Sequence, residues 1–299
     1  MASTHVLHQH PFTPFDELPS GDVGSFRAFP MPESMLPTEL TNEFRHRVGT
    51  RPLETQQWLP SDSETNPTIA MKLKLLQYRK NEVVAFLQGG EEVAQEAAEL
   101  VATFAGSTIQ SRGVDALVEA ALLVADDLIV MKRTSDGQLV VVAGVVCSPS
   151  RWKIETKLGQ DMMAVHAPVA RYAEHVGGAV DTTMNRLRAD QPMIRSNWTI
   201  EDHCALFQPI APSEPLVNDP SMLWVRMERQ TLRFLPRTGG SLFTIRTYQQ
   251  PITEYVARGQ DVASTLYSLV KRLPDDVAKY KSMLHYRDAL LEWLKPFAK

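Results

Sequence analysis

The chain has 299 residues and a formal net charge of −4 at pH 7, with 43% apolar and 22% charged residues. These proportions are typical of a globular protein with a sizeable core. The slight acidic excess argues against a nucleic-acid surface, which needs clustered Lys and Arg. The longest apolar run, Leu139–Cys147, is too short to cross a membrane. The only two cysteines, Cys147 and Cys204, are too few for a disulfide scaffold. We therefore expect a cytoplasmic protein.

Residues 1–66 are rich in proline and polar residues and lack a sustained apolar period, which predicts an irregular segment. Because disordered chains are normally poor in aromatic residues, we expect an arm that wraps a folded body. The candidate anchors are Phe12, Phe15, Phe26, Phe29, Phe44 and Trp58. Three histidines, His5, His8 and His10, have a spacing that could bind a metal, although a mobile terminus is the favoured interpretation.

Apolar spacing predicts three helices after the arm, at Ile69–Arg79, Glu91–Phe104 and Val114–Ala125. A β-hairpin follows, because two runs rich in branched residues, Asp127–Lys132 and the run from Leu139, flank an Asp-Gly turn. Residues 151–188 are expected to be helical or irregular. Three further strands are predicted at Met193–Ile200, Leu223–Leu235 and Ser241–Gln249, the last two joined by a hairpin at Arg237–Gly240.

The C-terminal part returns to a helical period. The spacing of Val262, Leu266, Leu269 and Leu273 predicts a helix that Pro274 ends, and a second helix, capped by Asp275 or Asp276, is expected to run to about Trp293.

The order of two strands, helices and three strands is that of the Per-Arnt-Sim (PAS) fold. We expect an α+β fold with a PAS-like five-stranded antiparallel sheet and covering helices. The expected parts are the irregular arm at 1–66, the PAS-like domain at 67–255 and a C-terminal helical segment at 256–299. Element order alone does not identify chemistry.

His166 is the residue most suited to hold a metal-containing cofactor. It lies in the segment MMAVHAPV, which is apolar on both sides. A lone imidazole there is either a hydrogen-bonded core histidine, which the pattern alone favours, or an axial ligand. Pro168 fixes the backbone after it, and a haem iron needs one strong donor in an apolar slot. Cys147 and the pair His203-Cys204 are weaker alternatives, since a buried cysteine is more often inert.

Trp224–Phe234 is the most polar of the predicted strands. Strand alternation places Trp224, Arg226, Glu228 and Gln230 on one face. The other face takes Val225, Met227, Arg229, Thr231 and Arg233, and the next strand adds Arg246 and Tyr248. Several guanidinium groups on neighbouring strands indicate anionic ligands such as carboxylates or propionates. Solvated strand faces with Arg–Glu pairs are an equally good interpretation.

Several segments taken together resemble the haem-binding α subunit of haem-dependent oxidative N-demethylases (dimethylamine monooxygenases). They are Arg51–Leu53 with Trp58-Leu59, Trp152 with Lys157–Gly159, Val165–Val169, Asp181–Arg186, Arg195–Trp198, Arg226–Leu232 with Leu235-Pro236, and Phe243–Tyr248. These segments span about residues 50–255. One departure is Ala170-Arg171-Tyr172, where the family pattern has Pro-Gly-Tyr.

The resemblance implies a PAS-like domain that holds haem b through His166 and uses O2 to convert dimethylamine, or a similar small secondary amine, to methylamine and formaldehyde. It also implies partner subunits that carry flavin and an iron–sulfur cluster and deliver electrons. No nucleic-acid or membrane partner is expected.

A cationic amine needs an anionic or aromatic partner when it is desolvated. We therefore expect Glu228 to bind the amine, Arg226 to orient Glu228, and Trp198 or Trp224 to form a wall. Arg229, Arg233 and Arg246 are the candidates for contacts with the haem propionates. Two alternatives to an enzyme remain, a haem-PAS sensor or redox-responsive binding module, and a scaffold subunit whose pocket is empty.

Overall fold

The computed structural model describes residues 48–175, 177–212 and 217–298, which include the end of the predicted arm. Trp58 is fully buried there. Its indole Nε1 donates to Thr231 Oγ1 over 2.9 Å, and its ring meets Phe104 edge-on with centroids 5.3 Å apart. The expected anchoring by Trp58 is therefore confirmed. The other candidate anchors and the histidines of the arm lie outside the described residues: His5, His8, His10, Phe12, Phe15, Phe26, Phe29 and Phe44.

Seven strands in the described ranges form one antiparallel sheet in the order β1-β5-β6-β7-β3-β4-β2. Their bounds are β1 Arg51–Pro52, β2 Val84–Phe86, β3 Asp127–Arg133, β4 Leu139–Val145, β5 Met193–Glu201, β6 Trp224–Leu235 and β7 Gly240–Pro251. The α+β class, the two hairpins and the antiparallel pairing are confirmed. The number of five strands is wrong, because the edge strands β1 and β2 are too short to show an alternating pattern.

The helices follow the predicted apolar periods except near the C-terminus. Their bounds are α1 Thr65–Val83, α2 Glu91–Phe104, α3 Gly113–Ala121, α4 Met162–Val165, α5 Tyr172–His175, α6 Gly177–Asn185, α7 Ile252–Val256, α8 Gln260–Lys271, α9 Asp275–Tyr280 and α10 Arg287–Leu294. The single helix expected after Pro274 is instead α9 and α10. Ser282 between them has φ 56°, a left-handed conformation that ends a helix. No helix in the described ranges is long and apolar enough to cross a lipid bilayer.

One face of the sheet packs against the helices α1, α2 and α3. Their apolar stripes share a core cluster with the inward residues of β3, including Leu128 and Val130. The β6–β7 hairpin comes so close to α2 that a Cβ added at Gly240 would lie 2.5 Å from the Val93 side chain. A glycine at this position therefore lets α2 pack directly on the sheet.

The opposite face is covered by residues 151–188, which we call the covering segment. Its side chains Ile154, Met184 and Leu187 share a second apolar cluster with Leu232 and Ile245 of the sheet. The segment contains short helices joined by irregular turns, as predicted. Because His166 lies in this segment, the packing places it above the same face of the sheet as Leu232.

Candidate functional site

His166 lies at the end of the short helix α4, and hydrogen bonds fix its local geometry. Asp161 caps α4 by accepting a hydrogen bond from Ala164 N over 2.8 Å. The His166 backbone N donates to Met162 O over 3.2 Å, and His166 Nδ1 lies 2.8 Å from the same oxygen. Because a carbonyl oxygen only accepts, Nδ1 is the donor, and in the neutral imidazole Nε2 carries the lone pair. This is the tautomer that a metal-binding histidine needs.

The ring of Tyr172 stacks on the imidazole of His166. The two centroids are 4.4 Å apart and the planes differ by 5°. Stacking covers a flat face of the imidazole, whereas coordination uses the ring edge that carries Nε2. The aromatic contact is therefore compatible with a ligand role for His166, and it restricts rotation of the ring.

The turn before Tyr172 has an arginine, Arg171, at its centre. Arg171 has φ 62°, the left-handed region that favours glycine. Its Nε donates to Asp276 Oδ2 over 2.7 Å, which ties the covering segment to α9. The left-handed Arg171 thus forms the turn that presents Tyr172 to His166.

Strand pairing brings a polar group together around Glu228. In the β5–β6 register, Asn197 lies opposite Glu228 and Arg195 lies opposite Gln230. Glu228 is 8% exposed, and its Oε2 accepts from Gln230 Nε2 over 2.8 Å and from Asn197 Nδ2 over 3.3 Å. By strand alternation these residues share the face of Leu232, which the covering segment packs against.

Arg226 lies behind Glu228 and is completely buried. Its guanidinium lies 4.0 Å from Glu228 Oε1 and 3.6 Å from Glu201 Oε2. It also donates to Leu206 O over 3.2 Å. These contacts place a fixed positive charge beside Glu228, as expected for an orienting residue, while a catalytic role for either side chain stays a prediction.

Arg195 connects the His166–Tyr172 pair with the Glu228 group. Burial lowers the pKa of Arg195, while the nearby Tyr172 and Glu228 act in the opposite direction. Among the described residues its Nε has no hydrogen-bond partner. The structure therefore brings His166, Tyr172, Arg195 and Glu228 to one face of the sheet. Sequence reasoning missed Arg195 and Tyr172, although both lie in or beside the segments that carry the family resemblance.

Trp198 is not brought to this face. It pairs with Met227 in the register, so alternation turns its side chain to the face opposite Glu228.

The three arginines predicted to meet the propionates also lie on that opposite face. Arg229 donates to Trp58 O over 2.9 Å and to Gln57 O over 2.5 Å. The Arg233 guanidinium lies 4.3 Å from the Trp58 ring centroid. Arg246 pairs with Asp62 over 2.8 Å. These contacts join the sheet to residues 57–62, and the structure does not bring the three side chains to His166.

The alternative metal ligands are Cys147, Cys204 and His203. The two thiols lie where the protonated form is favoured, and one ring nitrogen of His203 already accepts a hydrogen bond. Burial raises the pKa of the Cys147 thiol, and raises that of Cys204 to about 12, so both remain protonated at neutral pH. His203 Nδ1 accepts from Ala205 N over 3.0 Å. In the part of the chain that the structure describes, no three His, Cys, Asp or Glu side chains form a metal-binding group.

The residues of the covering segment and of the sheet face beneath it fit a b-type haem by their chemistry. They offer one imidazole with an oriented Nε2, a buried guanidinium for a carboxylate, and a set of partly buried apolar side chains. The apolar set is Trp152, Leu158, Met162, Val165, Val180, Met193, Phe234 and Phe243. Two cavities of about 530 and 460 Å³ lie elsewhere, along the end of α1 and beside Val84–Phe86, and His166 lines neither.

The fold and the site define an α+β protein in which the imidazole of His166 is held by a backbone contact and by stacking on Tyr172. Residues 102–291 match the family described as haem-dependent oxidative N-demethylase, alpha subunit-like. The match covers more than half of the chain, and the chain belongs to this family. The resemblance found in the sequence is thereby confirmed. The family description names a haem-dependent oxidoreductase, and the words "alpha subunit" imply a multisubunit enzyme.

Proposed function

We propose that the chain is the haem-binding α subunit of an oxidative N-demethylase and that His166 would hold the iron of haem b. The observation that carries the proposal is the contact between His166 Nδ1 and Met162 O at 2.8 Å. It fixes the tautomer with the lone pair on Nε2, and Tyr172 restricts the ring. The family match supports the identity of the cofactor.

The proposal includes a PAS-like core. The five long strands occur in the order of two strands, a helical insertion and three strands, and they form the centre of the sheet. The insertion is the covering segment that carries His166. The short strands β1 and β2 extend this core at its two edges.

The substrate would be dimethylamine or a similar small secondary amine. Dimethylamine, O2, two electrons and two protons would give methylamine, formaldehyde and water. When bound, haem supplies the O2 chemistry, and this chain has to hold the amine and exclude water.

Glu228 is the residue proposed to hold the amine. The donors Gln230 and Asn197 both contact its Oε2, so Oε1 is the oxygen that would accept from the ammonium group. The buried Arg226, whose guanidinium lies 4.0 Å from Oε1, helps to hold the carboxylate in place.

Electrons would come from partner subunits that carry flavin and an iron–sulfur cluster. The chain has two cysteines, both buried and neither in a disulfide, which is too few for a cysteine-ligated cluster. We also place the protein in the reducing cytoplasm as part of this proposal, because both cysteines are free thiols.

The test is a reaction of the haem-loaded chain with dimethylamine and a reductant that supplies single electrons. We expect O2 to be consumed and formaldehyde to be released in equal amounts. Glu228→Gln should raise the amine concentration needed for half-maximal rate while the haem spectrum stays the same. Reversible O2 binding without release of formaldehyde would contradict an enzymatic function and would support the alternative function of a haem-PAS sensor.

A further inference from the structure

A third cation besides Arg226 and Arg195, Lys281, lies close to the Glu228 group. It lies in the turn between α9 and α10, where its Nζ donates to Trp198 O and lies 5.2 Å from the Trp198 ring centroid. Burial lowers the pKa of Lys281 to about 8, and Glu228 and Glu201 act against that shift. The turn therefore brings an ammonium group to the exposed edge of β5.

Among the residues that the structure describes, the cations in this part of the site outnumber the carboxylates. Arg195, Arg226 and Lys281 lie within electrostatic range of Glu228, and Glu201 is the other carboxylate of the group.

Glu201 is already engaged by neighbouring donors, which are Ser150 Oγ and Gln208 Nε2, both at 2.6 Å. Among the described residues, neither Arg195 nor Lys281 has a carboxylate within 4 Å.

A cation that is partly desolvated without a counter-ion costs free energy, so such an excess indicates a missing anion. A guanidinium group matches a carboxylate in geometry. The buried Nε of Arg195 has no hydrogen-bond acceptor among the described residues, so it could donate to such a carboxylate. This donor is buried, and Tyr172 of the covering segment lies near enough to Arg195 to affect its pKa.

We propose that Arg195, supported by Lys281, forms a carboxylate subsite next to Glu228. The inference deepens the proposed function, because it rests on Glu228 as the amine-binding group. The carboxylate has two sources, a propionate of the cofactor or a carboxylate on the amine itself. In the second case the substrate class is an N-methylated amino acid, whose ammonium group would meet Glu228 and whose carboxylate would meet Arg195.

The first arm of the test measures the substrate source without haem. N-methylglycine and dimethylamine are titrated into the purified full chain by calorimetry, for the wild type, Arg195→Gln and Arg195→Lys. A matched control is Arg188→Gln, which removes an exposed arginine of the covering segment that pairs with Asp190. If the carboxylate belongs to the substrate, we expect the wild type and the control to bind N-methylglycine more tightly than dimethylamine. Arg195→Gln should then lower the ratio of the two affinities about tenfold or more. Arg195→Lys retains part of it.

The second arm measures the cofactor source. Haem and haem dimethyl ester, in which both propionates are esterified, are titrated into the same variants and followed by absorbance. If the carboxylate is a haem propionate, we expect the wild type to bind haem more tightly than the ester and Arg195→Gln to lose this preference. The circular-dichroism spectrum of Arg195→Gln should match that of the folded wild type.

A preference in either arm that depends on Arg195 supports the subsite and identifies its source. The proposal is overturned if folded Arg195→Gln behaves as the wild type does in both arms. Failure of the chain to bind any haem would count against the proposed function, while the calorimetric arm would still decide the subsite.

Discussion

Asp161→Ala tests whether the cap of α4 orients His166. The Asp161 carboxylate accepts from Ala164 N over 2.8 Å, and α4 has only four residues. Loss of such a cap costs about 1 kcal/mol. A helix this short has little stability of its own, so the cost would appear as local opening of the turn that holds Met162 O against His166 Nδ1. By the Boltzmann relation, 1 kcal/mol corresponds to a roughly fivefold smaller population of the oriented imidazole.

The assay is a haem titration followed by absorbance, in which we expect Asp161→Ala to bind haem about fivefold more weakly than wild type. Asp161→Asn retains a capping oxygen and should bind almost as well as the wild type. Asp219→Ala is the matched control, because Asp219 caps the turn at Pro220–Met222 in the same way, by accepting from Ser221 N over 2.9 Å. Equal losses for the two alanine variants would refute a specific effect of the α4 cap on His166.

Three further predictions concern buried charges. Lys72 is completely buried and donates to three backbone carbonyl oxygens at 2.6–3.0 Å. Lys72→Met should therefore lower the free energy of unfolding in urea by about 3 kcal/mol or more, and a loss below about 1 kcal/mol would contradict it. Glu228→Gln should weaken amine binding about tenfold, which calorimetry measures, and unchanged affinity would exclude the amine role. Lys281 loses its charge above its pKa of about 8. Carboxylate affinity should therefore fall between pH 7 and 9 in the wild type and be flat in Lys281→Met, and a fall that persists in that variant would contradict the role of Lys281.

The sequence predicted the long elements because their apolar residues repeat with a clear period. The helix Glu91–Phe104 matches its predicted bounds, and β5 and β7 differ from theirs by one or two residues at an end. The strand Val84–Phe86 was missed because it follows directly on α1 without a turn signal. The break at Ser282 was also missed, since a left-handed serine leaves no signature in a single sequence.

The site was predicted in part, and the limit was the strand register. Alternation along β6 correctly separated Glu228 from Arg229, but a single strand cannot show which face His166 covers. The pairing of β5 with β6 decides that Arg195 joins Glu228 while Trp198 does not. The stacking of Tyr172 on His166 depends on the turn at Arg171, which only the three-dimensional arrangement reveals.

The most direct test of His166 as the haem ligand is the absorption spectrum of the purified, haem-supplied chain before and after dithionite. We predict a Soret band typical of histidine-ligated haem for the wild type and for His175→Ala, which removes another half-buried histidine of the covering segment. His166→Ala should lose that spectrum and regain it when free imidazole is added. A His166→Ala protein that retains the wild-type spectrum would contradict the assignment.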